Sequence, residues 1–107
     1  KIQSMSERIL KIKLGVCKRL SKEVASYEDE VKKEESKLER MKKEKSDEYD
    51  IKKQEEILGE SCMMIPDSKR RFQDSIRDLS NFLEERDHMS DLADSEEFIE
   101  AKQIVLE

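Results

Sequence analysis

Two consecutive stretches of this chain repeat their seam residues at alternating steps of three and four, and that period admits little besides paired helices. In the first stretch the seam reads Leu10, Lys13, Cys17, Leu20, Val24, Tyr27, Val31, Glu34, Leu38 and Met41. In the second it reads Ile51, Gln54, Leu58, Ser61, Ile65, Ser68, Phe72, Ser75, Leu79 and Phe82. A strand would alternate at every second residue, and neither stretch does. Ile9, Ile12 and Val16 widen the apolar face at the start of the first helix, as expected where more than one neighbour covers it. Ile57, Met64, Ile76 and Leu83 flank the second seam. Met63 and Met64 point about 100° apart on a helix, so both cannot be central; Met64 is assigned to the core and Met63 is left open between surface and partial burial.

Helix one is expected over about 4–44, helix two over about 48–85 and helix three over about 95–106. The connection Lys45-Ser46-Asp47-Glu48 is short, which makes the first two helices antiparallel neighbours, with Ser46 or Asp47 as the cap. Pro66 removes an amide donor inside the second helix. The heptad phase runs on unbroken across it, so one bent helix is predicted there, not two. Gly15, inside the first helix, is read as a point of close backbone packing. Residues 86–94 read as an acidic loop. Asp94 precedes Glu97 at capping-box spacing, and Phe98, Ala101 and Val105 share one face of the third helix, with Ile99 and Leu106 beside it. The expected fold is all-α: one domain over 1–107, an antiparallel up-down-up three-helix bundle. Its long helical hairpin spans roughly 55–60 Å at the helical rise per residue. The shorter third helix packs back against the Phe72–Leu83 and Ile9–Leu20 ends, and the second helix is kinked at Pro66.

Composition narrows the chemistry. Charged residues make up 46% of the chain, and Gly occurs only twice and Pro once, unlike a loop-rich enzyme. The formal net charge of −5 is uneven: residues 1–45 hold 14 Lys/Arg against 9 Asp/Glu, and residues 46–107 hold 8 against 18, so the two parts attract. The basic part carries Glu28, Asp29, Glu30, Glu34 and Glu35 among its cations, which argues against a nucleic-acid stripe. No stretch approaches the roughly 18 apolar residues of a membrane span. No signal peptide is visible, although Lys1 is not a natural start and trimmed termini are expected. Cys17 and Cys62 are read as small, reduced seam residues, too far apart on the hairpin to form a disulfide. His88, near Asp87 and Asp91, is the single histidine and is read as a solvated loop residue, not a metal ligand. Gly15 and Gly59 stand alone, without a phosphate loop. No enzyme, cofactor or metal site is expected.

The run Tyr49-Asp50-Ile51-Lys52-Lys53-Gln54-Glu55-Glu56-Ile57-Leu58-Gly59-Glu60-Ser61-Cys62-Met63-Met64-Ile65-Pro66-Asp67, continuing through Arg70-Arg71-Phe72, resembles the central signature of the tubulin-binding cofactor A family. Leu10-Lys11-Ile12-Lys13-Leu14-Gly15-Val16-Cys17-Lys18-Arg19-Leu20 is similar to that family's N-terminal segment, and Glu96-Glu97-Phe98-Ile99-Glu100-Ala101 to the start of its third helix. The chain departs from the family pattern at Cys62, where Arg is frequent, at Phe72, where Leu is usual, and at Leu14, where Thr is common. The resemblance implies a three-helix chaperone that captures β-tubulin after release from the cytosolic chaperonin. Such a protein holds β-tubulin quasi-native and passes it into heterodimer assembly with other tubulin-folding cofactors. It implies no nucleotide or metal; the expected location is the cytoplasm, in association with the cytoskeleton, and the expected state a monomer, with a homodimer as the alternative. The binding face it suggests lies along helix two at Tyr49, Lys52, Lys53, Glu56, Glu60, Met63, Arg70 and Arg71. The competing reading is a structural coiled-coil module that dimerises through the uncovered part of the hairpin.

Overall fold

The Ser4 hydroxyl accepts the Glu7 amide at 3.2 Å, and from this cap α1 runs over Met5–Lys43. A computed structural model describes residues 4–85 and 95–106 of the chain. α2 follows over Glu48–Glu84 and α3 over Glu96–Leu106; among the described residues there is no strand. α1 ends in a Schellman motif. Ser46 N–H donates to the Met41 carbonyl at 3.0 Å and Lys45 N–H to the Lys42 carbonyl at 3.2 Å. Lys45 is therefore left-handed, with φ 56°, a conformation that favours glycine. Asp47 opens α2, its carbonyl accepting the Ile51 amide at 3.0 Å. α2 continues as one helix through Pro66.

Contacts group the chain into two compact units, and both long helices pass from one to the other. The first unit comprises residues up to Ser21 and from Arg71 onward. Its core joins all three helices: Leu10, Leu14 and Cys17 from α1, Leu79 and Phe82 from α2, and Phe98 and Ala101 from α3. Ile9, Ile76, Leu83, Ile104 and Val105 pack around them, so the third helix covers the two ends that the sequence assigns to it. Lys13 reaches Asp78 at 2.6 Å, and Cys17 Sγ lies 3.4 Å from the Ser75 carbonyl, so rising numbers on α1 meet falling numbers on α2. The attraction between the basic start and the acidic remainder of the chain takes concrete form here. Lys11 pairs with Glu97 at 3.6 Å and Lys18 with Glu100 at 2.6 Å, tying α1 to α3. Each such exposed pair contributes at most about 1 kcal/mol, so these pairs orient the third helix more than they hold it; burial of Phe98 and Ala101 holds it.

The second unit, Lys22–Arg70, is a two-helix seam with a thin interior. Val31 is its one buried apolar residue, and Gln54 and Ser68 are its buried polar ones. The Gln54 amide donates to the Glu34 carboxylate at 2.5 Å and to the Glu34 backbone carbonyl at 3.2 Å. The Ser68 hydroxyl turns back to the Ile65 carbonyl of its own helix at 2.9 Å. Every position of the two three–four seams is buried or half-buried, in both helices.

Several residues beside the seam sit differently from expectation. Ile12 is 67% exposed, while Leu14 is buried. The widening of the α1 stripe follows the third helix, which lies on the Leu14 side. Met64 and Ile57 are exposed, because the thin second unit has no third layer to cover the flanks of its seam. Ile99 and Leu106 are exposed as well, on the side of α3 away from Phe98. Gly15 does not mark close packing: a Cβ there would meet nothing within 4 Å. Cys62 is exposed and so is not a seam residue; Cys17 is buried, and both are free thiols. The cap of α3 is Ser95, whose hydroxyl accepts the Phe98 amide at 3.0 Å, one residue after the Asp94 that the spacing suggested. Asp94, His88, Asp87, Asp91 and the loop 86–94 lie outside the described residues.

Candidate functional site

The seam residues of α2 in the second unit fix where the rest of that helix points. With about 3.6 residues per turn, Tyr49, Lys52, Lys53, Glu56, Glu60, Met63 and Arg70 fall within about 60° of one line, directly opposite the seam. The structure leaves all seven exposed, Tyr49 at 67% and Met63 at 76%. These seven therefore share one exposed side of α2. The eighth residue of that set, Arg71, belongs to the other unit and is half-buried, with a side-chain interaction of its own.

Two apolar residues join this face that the sequence reading had assigned to the flanks of the seam. Ile57 and Met64 are exposed and lie one side of the Tyr49–Glu60 line. The signal was available in the period itself: each is fewer than 90° from Tyr49 by rotation, and neither is close to the Leu58–Ile65 direction. The face thus carries four large exposed hydrophobics, Tyr49, Ile57, Met63 and Met64, interleaved with both signs of charge. Single exposed apolar residues are ordinary, but four along one side of one helix are a patch.

Local contacts shape the face. Lys53 Nζ sits 5.9 Å from the Tyr49 ring centroid, a cation–π contact that holds the ring along the helix. Arg70 pairs with Asp67 one turn before it. Lys69 reaches across to Glu28 of α1 at 3.6 Å. Methionine is flexible and polarisable, so Met63 and Met64 can adapt to an irregular partner surface, while the charges give orientation and speed of encounter. Among the described residues no group of three or more His, Cys, Asp or Glu gathers as a metal site. Among the same residues, no helix is long and apolar enough to cross a membrane.

Comparison with known proteins gives the same picture a family context. A sequence model described as "Tubulin binding cofactor A" matches residues 5–105. The tubulin-specific chaperone A of Gallus gallus is 50% identical over 98 residues, which cover 92% of this chain and 88% of that protein. The crystal structure of tubulin folding cofactor A from Arabidopsis thaliana superposes with a TM-score of 0.81 at 41% identity, covering 94% of this chain and 92% of that one. The human tubulin chaperone cofactor A structure gives a TM-score of 0.73 at 46% identity, with 94% of each chain covered.

Proposed function

This chain belongs to the tubulin-binding cofactor A family, and on that premise we propose that it is a tubulin-folding chaperone that captures β-tubulin after chaperonin release. It holds β-tubulin in a quasi-native state for heterodimer assembly with other tubulin-folding cofactors. It works in the cytoplasm, in association with the cytoskeleton, and as a monomer. The surface proposed for the contact is the outward face of α2 in the second unit: Tyr49, Lys52, Lys53, Glu56, Glu60, Met63 and Arg70, joined by Ile57 and Met64. The observation that carries this assignment is the set of four exposed large hydrophobics on α2, Tyr49 and Met63 opposite the seam and Ile57 and Met64 to one side of them.

A chaperone without a nucleotide site acts by mass action: whatever binds a near-native client better than an unfolded one shifts the client toward that state. Such a binder needs a preformed surface more than a pocket, and a helix buttressed by its neighbour supplies one. Mixed charge keeps the apolar residues in solution between clients and sets which client docks. The test is capture of isolated β-tubulin, with α-tubulin as the control, by the wild type and by the double reversal Lys53→Glu/Arg70→Glu. Selective capture of β-tubulin that drops at least about tenfold in the variant is expected, as for truncation of central charged contacts. Undiminished capture by the variant overturns the face. Indifference of the wild type to β-tubulin overturns the function.

A further inference from the structure

The second unit also carries a basic facet on α1 alone. The facet is open to solvent and is formed by Lys32, Lys33, Glu34, Ser36, Lys37 and Arg40. Four of the six carry positive charge, and Lys32, Lys33, Lys37 and Arg40 are all exposed. The single carboxylate in the lining is drawn inward, since Glu34 accepts the Gln54 amide at 2.5 Å. Lys33 shares its charge with Asp29 at 3.2 Å, an exposed pair that exchanges readily with solvent and competing anions.

Spacing says what such a facet can hold. Lys33, Lys37 and Arg40 stand at i, i+4 and i+7, on one side of the helix, stepping about 6 Å and then about 4.5 Å along its axis. An extended peptide presents its same-side residues about 6.6–6.8 Å apart. Carboxylates at alternate positions of an extended segment therefore meet Lys33 and Lys37 nearly in step. The next carboxylate falls within reach of Arg40, whose long side chain absorbs the remaining offset and can bind it through two parallel N–H donors. We infer that this facet of α1 is a docking site for an acidic, extended peptide segment of a protein partner. A nucleic-acid strand fits less well. Glu28, Glu30, Glu35 and Glu39 are exposed along the same stretch of helix. They flank the basic facet and would oppose a long, uniformly charged phosphate backbone more than a short segment carrying two or three carboxylates. The inference stands apart from the tubulin assignment: it uses neither the outward face of α2 nor the family.

The experiment titrates the isotopically labelled full chain with a short synthetic peptide of alternating glutamate and serine, followed by amide chemical shifts. Its glutamine counterpart and a single-stranded oligonucleotide serve as probes of the alternatives. The expected result is saturable shifts confined to residues 29–44, fading as salt is raised to physiological strength, where the Debye length is about 8 Å. Affinity should fall at least about tenfold in Lys37→Glu/Arg40→Glu and by an intermediate factor in Lys37→Gln/Arg40→Gln, because removing charge weakens and reversing it repels. The same charge change at Lys11 and Arg77, in the other unit, should leave it unaltered. The inference is overturned by equal binding of the glutamine peptide, by shifts scattered over the chain, by indifference to the two variants, or by stronger binding of the oligonucleotide at this facet.

Discussion

Replacing both helical glycines by alanine should make this protein markedly more stable. Gly15 lies inside α1 and Gly59 inside α2, and both are exposed. A methyl group at either position would meet nothing within 4 Å, so no steric term opposes it. What remains is the intrinsic difference between the two residues in a helix interior, about 0.8–1.0 kcal/mol per site, chiefly because glycine loses more backbone freedom on folding. The sites lie in different units and share no neighbours, so their effects should add to about 2 kcal/mol. For a chain of this size that corresponds to a rise of about 8–16 °C in Tm. Far-UV circular dichroism would follow thermal and urea unfolding of Gly15→Ala, Gly59→Ala and the double variant, with an unchanged urea slope showing that the surface exposed on unfolding is the same. If Gly15→Ala destabilised the protein, the open space around that backbone would be an error and the close-packing role read from the sequence would return.

Four further changes probe separate parts of the fold. Lys45→Gly should stabilise by about 1 kcal/mol, since the left-handed strain relieved exceeds glycine's entropy; a loss on denaturant titration would contradict the Schellman geometry. Pro66→Ala restores a missing amide donor at an exposed position inside α2 and should raise stability by about 1–3 kcal/mol, whereas a fall would mean that the proline conformation is required by the seam. Leu79→Ala empties a fully buried site in the three-helix core and should cost about 2–5 kcal/mol; a cost under 1 kcal/mol would show that the core collapses freely. Ser95→Ala removes the acceptor of the Phe98 amide and should cost about 1 kcal/mol, read as faster amide exchange through α3, and unaltered exchange there would reassign the cap.

Most of the helical architecture is written in the period of the seam. Alternating steps keep one line of residues facing a partner helix, and neither Lys13 nor Glu34 breaks it, because each finds a partner there: Lys13 meets Asp78, and Glu34 receives Gln54. The edges of the stripe were less legible. Whether Ile12 or Leu14 is covered depends on which side the third helix takes, and nothing local to α1 records that choice. Ser95 and Asp94 are both competent caps, and the burial of Phe98 decides where α3 starts. Met64 was drawn into the core by its hydrophobicity, though the thin second unit offers no layer to receive it. The outward row from Tyr49 to Arg70 follows from the same period, since whatever opposes a seam faces solvent. The identity of a partner follows from no physical rule applied to those residues; the resemblance of the Tyr49–Phe72 run supplied it.

The way polar side chains close their bonds along α2 has a kinetic consequence. Ser68 directs its hydroxyl to a carbonyl of its own helix, so parting the two helices beside it would leave that donor bonded. Gln54, close to the connecting turn, is different, because its amide is bound to the opposite helix and loses both acceptors if they part. Fraying of the second unit should therefore advance easily toward the turn and stall at Gln54, like a zip held by a pin just before its end.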